Sequence, residues 1–243
     1  MKAAGDHHGQ RVPLARVDVI AHSVPPRGAG VDRAQARRIL GYDDDTILLS
    51  LFGFVSAHKG VDSALEALDR LPHNYRLAVV GGRHPASRDD PSFDNALAAL
   101  RYTQRARVTG WVDLQTLELY HAATDICIAP YREAGLLASG AITWALCSGK
   151  PTIATRIAAF VELAHVAHCL YLVAEDSPDE LAFAAQAIVA QPELSAELTR
   201  SAAEYCRDNS WERAAARHLD VYRRHLRKRL AASSAGRRGG AVL

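Results

Sequence analysis

No apolar run in this chain of 243 residues approaches the ~20 needed to span a bilayer, and the N-terminal MKAAGDHHGQR lacks the apolar stretch of a secretory signal. The chain is therefore expected in the cytoplasm. A CxxC pair is missing too. The four cysteines, Cys127, Cys147, Cys169 and Cys206, are widely spaced and mostly sit inside apolar stretches, so they read as reduced core thiols. Charge of one sign is in short supply: 29 Lys and Arg against 27 Asp and Glu leave a formal net charge of +2. A duplex binder needs a concentrated basic face, so nucleic acid is not the expected partner. The dinucleotide fingerprint GxGxxG and the P-loop GxxxxGK[ST] are both absent. No DxD stands in a plausible loop and the histidines show no ligand spacing, so neither a metal nor a cofactor is expected.

What is present is an alternation of short β-branched runs with helical patterns, the sequence form of a doubly wound parallel α/β sheet. Strands are predicted at 17–21, 46–52, 76–80, 106–109, 125–129, 151–154 and 169–173. Several are apolar almost throughout, as strands covered on both faces must be. Between them the 3.6-residue period puts Val61, Ala64, Leu65, Leu68 and Leu71 on one helix face, and Phe93, Ala96, Leu97 and Leu100 on another.

Helix boundaries carry their own signals. Ser177 and Glu180 read as a capping box with Pro178 at the first helical position, and Gly41 and Gly149 as C-terminal caps. Residues 1–16 and 231–243 are small or polar and are expected to be flexible, leaving 17–230 as one domain. A long helix is predicted over 209–230 with Trp211, Ala214, Ala215, Leu219 and Tyr222 on one side. It ends in Arg223, Arg224, Arg227, Lys228 and Arg229, a cluster that suits a solvated helix end or, alternatively, contact with a membrane surface or a partner.

In an open parallel sheet, ligands bind beyond the carboxyl ends of the strands, and four loops there carry chemistry. In Gly53 to Gly60, glycines permit close backbone approach, and Lys59 adds a point charge where a helix N-terminus already favours an anion such as a diphosphate. In Val80 to Pro85, Gly82 keeps the strand end clear while Arg83 and His84 are placed to reach a phosphate or a sugar hydroxyl. In Gly110 to Asp113, Asp113 is an N-cap, and Trp111 and Val112 are placed to line a base-sized slot. In the fourth, Glu133 is a carboxylate free to accept sugar hydroxyls, and Ser139-Gly140 opens a helix whose first N–H groups can hold an anion. Each loop also has a plain reading as a turn or a capped helix.

The segments VDVIAHSVPP, RRILGYDDDTILLSLFGFVSAHKGVD, LAVVGGRHP, VTGWVDLQTLELYHAATDICIAPY, SGAITWALCSGKPTIAT and DNSWERAAARHLDVY, in this order, resemble the C-terminal, donor-binding domain of group 1 (family 4) retaining glycosyltransferases of the GT-B type. Each motif is short, and it is their order and spacing that carry the resemblance. It implies a Rossmann-like domain that binds a UDP- or GDP-sugar or similar donor without a metal. Lys59 would grip the donor diphosphate, and the loop at Gly110 to Val112 would lie near the base.

Two positions depart from the family. Phe54 stands where most members have an arginine assisting the lysine, and Trp144 stands where a glutamate binds the ribose. The preceding glutamate of that pair has no exact counterpart, and Glu133 is read as a displaced substitute within a variant pocket. By the resemblance the chain is one half of a cleft. It would transfer a hexosyl group with retention only when an acceptor-binding domain or subunit is supplied from outside this sequence. The rival reading is a noncatalytic nucleotide-binding or scaffold subunit of a transferase complex.

Overall fold

A computed structural model of the chain describes residues 17–25, 30–85, 91–99, 103–133, 135–136 and 138–238, with side chains through Arg229. The expectations for residues 1–16, for 239–243 and for Leu100 lie outside the described residues. The chain divides into two compact units, Val24–Asp208 and a second one drawn from Met1–Ser23 and Asn209–Leu243.

In the larger unit, six strands form one all-parallel sheet: β1 Ile47–Phe52, β2 Tyr75–Val80, β3 Ala106–Val108, β4 Ile126–Ala129, β5 Thr152–Thr155 and β6 Tyr171–Val173. Their spatial order is β3-β2-β1-β4-β5-β6. The winding reverses between β1 and β4, and that reversal opens a crevice beyond the strand ends.

Among the described residues of this unit, eight helices cover the sheet: α1 Arg33–Leu40, α2 Val61–Asp69, α3 Ser92–Ala99, α4 Leu114–Ala123, α5 Gly140–Cys147, α6 Ala158–Ala167, α7 Pro178–Ala190 and α8 Pro192–Asp208. Side chains alternate across a strand, so β1 serves both faces. Leu49 and Leu51 join Ala64, Leu68, Leu181 and Ala185 of α2 and α7. Leu48 and Phe52 join Ala36, Tyr120 and Ala123 of α1 and α4. A third cluster packs α5, α6 and α8 around Ile142, Leu146, Phe160 and Ala202.

The caps follow local chemistry. Ser177 Oγ accepts from Glu180 N–H, but the Glu180 carboxylate accepts from Ala174 N–H and Arg156 instead of returning to Ser177, so only half of the capping box forms. Gly41 ends α1 at φ 75° and Gly149 follows α5 at φ 72°. On α3 the predicted face is partly wrong, since Ala96 is buried while Leu97 is 41% exposed.

The predicted strand at 17–21 does not form. It joins no ladder among the described residues, Val19 is largely in solvent, and Asp18 accepts from Arg224 (2.7 Å) and His225 (3.0 Å) within the smaller unit. The closing helix, α9, spans Trp211–Arg238 and so carries residues 231–238 in helical form where a flexible tail is expected from composition. Trp211, Leu219, Tyr222 and Leu226 along it are each more than half exposed.

Candidate functional site

A cavity of about 1030 Å³ opens where the loops after β1, β2, β3 and β4 converge. Gly53, Lys59, Gly82, His84, Trp111, Val112, Ser139 and Gly140, scattered over almost ninety positions, all line it. The loops after β1 and β2 run side by side: Gly53 N–H donates to Val80 C=O (3.1 Å) and Val55 N–H to Gly82 C=O (2.8 Å). That closeness requires glycine at 81, because a Cβ there would sit 1.8 Å from the Gly53 carbonyl oxygen.

Lys59 ends a single 3-10 turn, Ala57–Lys59, and is 9% exposed. Its ammonium donates to the Tyr131 hydroxyl at 2.6 Å and lies 3.8 Å from the centroid of that ring. Burial alone lowers the Lys59 pKa to about 8, with no carboxylate among the described residues to offset it. Tyr131 is itself buried, which pushes its phenol up to about 12, with Ser139 acting on it in the opposite, lowering sense. Ser139 Oγ accepts from Ile142 N–H (3.4 Å) as the N-cap of α5. The first N–H groups of a helix have no intrahelical acceptor, and Gly140 and Ala141 both face the cavity. A buried ammonium and a helix N-terminus are thus joined through one tyrosine at one end of the cavity, an arrangement that stabilises an anion.

The rest of the lining is largely apolar. Phe54, Val80, Trp111, Val112, Leu117 and Trp144 contribute, with Trp111 77% exposed and so able to cover a flat ligand. Trp144, on α5, stacks against His121 at 6.1 Å, and His121 in turn meets Phe52 edge-on at 4.5 Å. Burial, then Lys150, pulls His121 down to about 4, so it is neutral at physiological pH. Phe54 packs edge-on against His84 at 4.8 Å. Asp113 also lines the cavity, but its carboxylate caps α4 by accepting from Thr116 N–H (2.8 Å).

Two expectations are corrected. Glu133 is not free for sugar hydroxyls and does not line the cavity: its carboxylate accepts from Gly135 N–H (3.0 Å) and from Ala158 N–H at the start of α6 (3.0 Å). Backbone donors at a loop and a helix N-terminus captured it, because such donors need an acceptor and a carboxylate is the strongest one at hand. Arg83 likewise turns away from the cavity, pairing with Asp94 and lying 5.3 Å from the Phe93 centroid. Sequence reasoning also missed Tyr131 as the partner of Lys59. The signal available was an aromatic residue directly beyond an apolar strand.

Among the described residues, no group of three or more His, Cys, Asp or Glu side chains is placed to hold a metal ion, and no helix is long and apolar enough to cross a membrane.

Comparison with known proteins bears on the fold and the family. The chain is 29% identical over 221 residues to D-inositol 3-phosphate glycosyltransferase of Xylanimonas cellulosilytica, covering 88% of this chain and 51% of that protein. It is 28% identical over 205 residues to D-inositol 3-phosphate glycosyltransferase 2 of Catenulispora acidiphila, covering 80% of this chain and 47% of that protein. The chain therefore spans about half the length of the curated relatives it matches. Among solved structures, HepE of Anabaena in complex with UDP-glucose superposes with a TM-score of 0.70 at 17% identity, over 79% of this chain and 52% of that one. The C-terminal domain of the LpcC glycosyl transferase of Francisella tularensis gives 0.58 at 18% identity, over 76% of this chain and 94% of that one. At such identities these likenesses speak for the fold. The family model described as glycosyl transferases group 1 matches residues 46–191, more than half of the chain, and the protein belongs to that family.

Proposed function

We propose that this chain is the donor-binding half of a retaining glycosyltransferase, holding a nucleoside diphosphate sugar in the cavity at the β1–β4 reversal. The observation that carries this reading is the buried Lys59 ammonium, which has a tyrosine but, among the described residues, no carboxylate beside it and shares the cavity with the N-terminus of α5. A buried cation without a counter-ion is costly, and a diphosphate supplies the missing charge. Trp111 and Val112, which also line the cavity, offer the base an apolar slot. As the sugar–phosphate bond breaks, negative charge grows on the departing diphosphate, and Lys59 with the α5 N–H groups stabilises it. Neither a metal nor a cofactor enters this scheme. An acceptor-binding domain or subunit completes the cleft, and transfer retains configuration.

Calorimetric titration with UDP, GDP and their hexose conjugates tests the reading. Saturable binding by at least one of them is expected, and absence of binding by all of them would remove it.

A second reading, a binding subunit without catalysis of its own, is favoured by the engagement of Glu133 and Asp113 in capping. Binding without hexosyl transfer when the acceptor half is supplied would select it. As part of the first reading, the enzyme works in the cytoplasm. The exposed Arg223, Arg227, Lys228 and Arg229 of α9, beside Leu226, provide peripheral contact with an acidic membrane surface.

A further inference from the structure

We infer that Arg132, which does not line the cavity, is a positioning residue that holds the turn carrying Lys59 and thereby places the ammonium at the anion end of the site. Arg132 follows Tyr131 beyond the end of β4, and it grips the Lys59 segment from both sides. Its main-chain N–H donates to the His58 carbonyl (2.8 Å) and its Nη1 to the Ala57 carbonyl (3.0 Å), one and two residues before Lys59. Its two terminal nitrogens also donate to both carboxylate oxygens of Asp62 (3.0 and 2.8 Å), three residues after Lys59 at the start of α2. Asp176, on the loop before α7, accepts from Nε (2.6 Å) and fixes the guanidinium plane. A planar, forked cation can serve Ala57, Asp62 and Asp176 at once, whereas an ammonium cannot.

The segment so held has no slack. Gly60 adopts φ 65°, and a Cβ on it would lie 1.9 Å from the Pro130 carbonyl oxygen, so the Lys59–Gly60 backbone is pressed directly on the strand end that carries Tyr131 and Arg132. Among the described residues Lys59 has no ion pair of its own to fix its position; its side chain finds only Tyr131. Two consecutive residues therefore have complementary roles, Tyr131 receiving the ammonium and Arg132 fastening the backbone from which it extends. Asp62 shows the strength of the grip. Burial raises its pKa, yet the Arg132 hydrogen bonds and charge, together with the Ser63 and Asp62 main-chain N–H groups, outweigh that and leave it lowered.

The test has two arms. The first needs no ligand: the chain has four lysines, Lys2, Lys59, Lys150 and Lys228, so the Lys59 side chain can be followed by NMR in lysine-labelled protein, with Lys59→Arg for assignment. His58 and Tyr131 are the titratable groups beside it and are left unchanged. In Arg132→Gln the Lys59 midpoint is expected to rise toward the ordinary lysine value by about one pH unit or more, as the turn loosens and water reaches the ammonium. Arg132→Lys, which keeps the charge and loses the fork, is expected to shift it the same way and serves if the glutamine variant does not fold. A role in general stability alone would lower the melting temperature and leave the Lys59 midpoint in place. A folded variant whose midpoint moves by less than about 0.3 unit would overturn the inference.

The second arm rests on the nucleoside-diphosphate reading. Arg132→Gln should raise the Kd for UDP or GDP by roughly tenfold, and combining it with Lys59→Ala should add little to the loss from Lys59→Ala alone, because both remove one interaction. Full additivity would also count against positioning. If the unaltered protein binds neither nucleotide, the proposed function fails, and the titration still decides the role of Arg132.

Discussion

The Lys59 ammonium lies 2.6 Å from the Tyr131 hydroxyl and 3.8 Å from the centroid of the same ring, so one side chain supplies both a hydrogen-bond acceptor and a π face to a buried cation. Tyr131 cannot neutralise that cation, since burial holds its phenol protonated up to about 12. The pair therefore orients a positive charge without cancelling it, which a lysine–carboxylate pair would not do. Lys59→Ala should weaken nucleoside diphosphate binding by ~1 to 3 kcal/mol, the size of one lost charge-assisted contact. Tyr131→Phe keeps the ring and should cost less, about 0.5 to 1.5 kcal/mol. Calorimetry on both variants measures the two losses, and an unchanged affinity in Lys59→Ala would discard this loop as the phosphate site.

The lowered pKa of Lys59 sets a pH dependence. In the free protein the ammonium loses its proton near pH 8, whereas a bound diphosphate favours the charged form and raises that value. Affinity for UDP or GDP should therefore be level below about pH 8 and fall above it, by up to tenfold per unit until the bound-state pKa is passed. The stability of the unliganded protein should move the opposite way. Between pH 8 and the ordinary lysine value the unfolded chain holds more protons at this site than the folded one, so Lys59 makes unfolding harder as pH rises through that window. Urea unfolding of the protein and of Lys59→Met across this range separates the contribution.

Gly60 tolerates no side chain. Its left-handed φ of 65° and the Pro130 carbonyl oxygen 1.9 Å from an added Cβ should together make Gly60→Ala cost roughly 2 to 4 kcal/mol. Gly41, also at positive φ but with open space around it, provides the control: Gly41→Ala should show the conformational penalty alone, about 1 to 2 kcal/mol. Equal losses at the two positions in chemical denaturation would refute the close-approach argument.

Arg37 is completely buried on α1, where it meets Asp125 and donates to the carbonyls of Ala123, Asp43 and Thr46. Removing it would take the buried donor from those carbonyls and leave Asp125 with only the partly exposed Arg33 (2.8 Å) and Leu48 N–H at the start of β1 (2.7 Å). Arg37→Ala is expected to destabilise the unit by roughly 3 to 5 kcal/mol, as for other broken buried pairs. Replacing both partners with apolar residues should cost less, and a double-mutant cycle on thermal or urea unfolding checks the difference.

The sequence by itself determined the order of strands and helices along the chain, most caps and the loops that line the cavity. These depend on period, on β-branched runs and on residues within four positions of one another, such as Asp113 with Thr116 or Ser139 with Ile142. Period alone did not suffice for residues 17–21, where an alternating pattern had no ladder to join among the described residues, nor for Leu97, which α3 leaves exposed. Only the tertiary structure decided what the charged loop side chains outside those local caps would pair with. Glu133 went to backbone donors of Gly135 and Ala158, Arg83 went to Asp94, and Lys59 went to Tyr131, seventy-two positions away. A charged group settles where uncompensated partners converge, and for Lys59 that convergence exists only once the parallel sheet has brought the ends of β1 and β4 side by side.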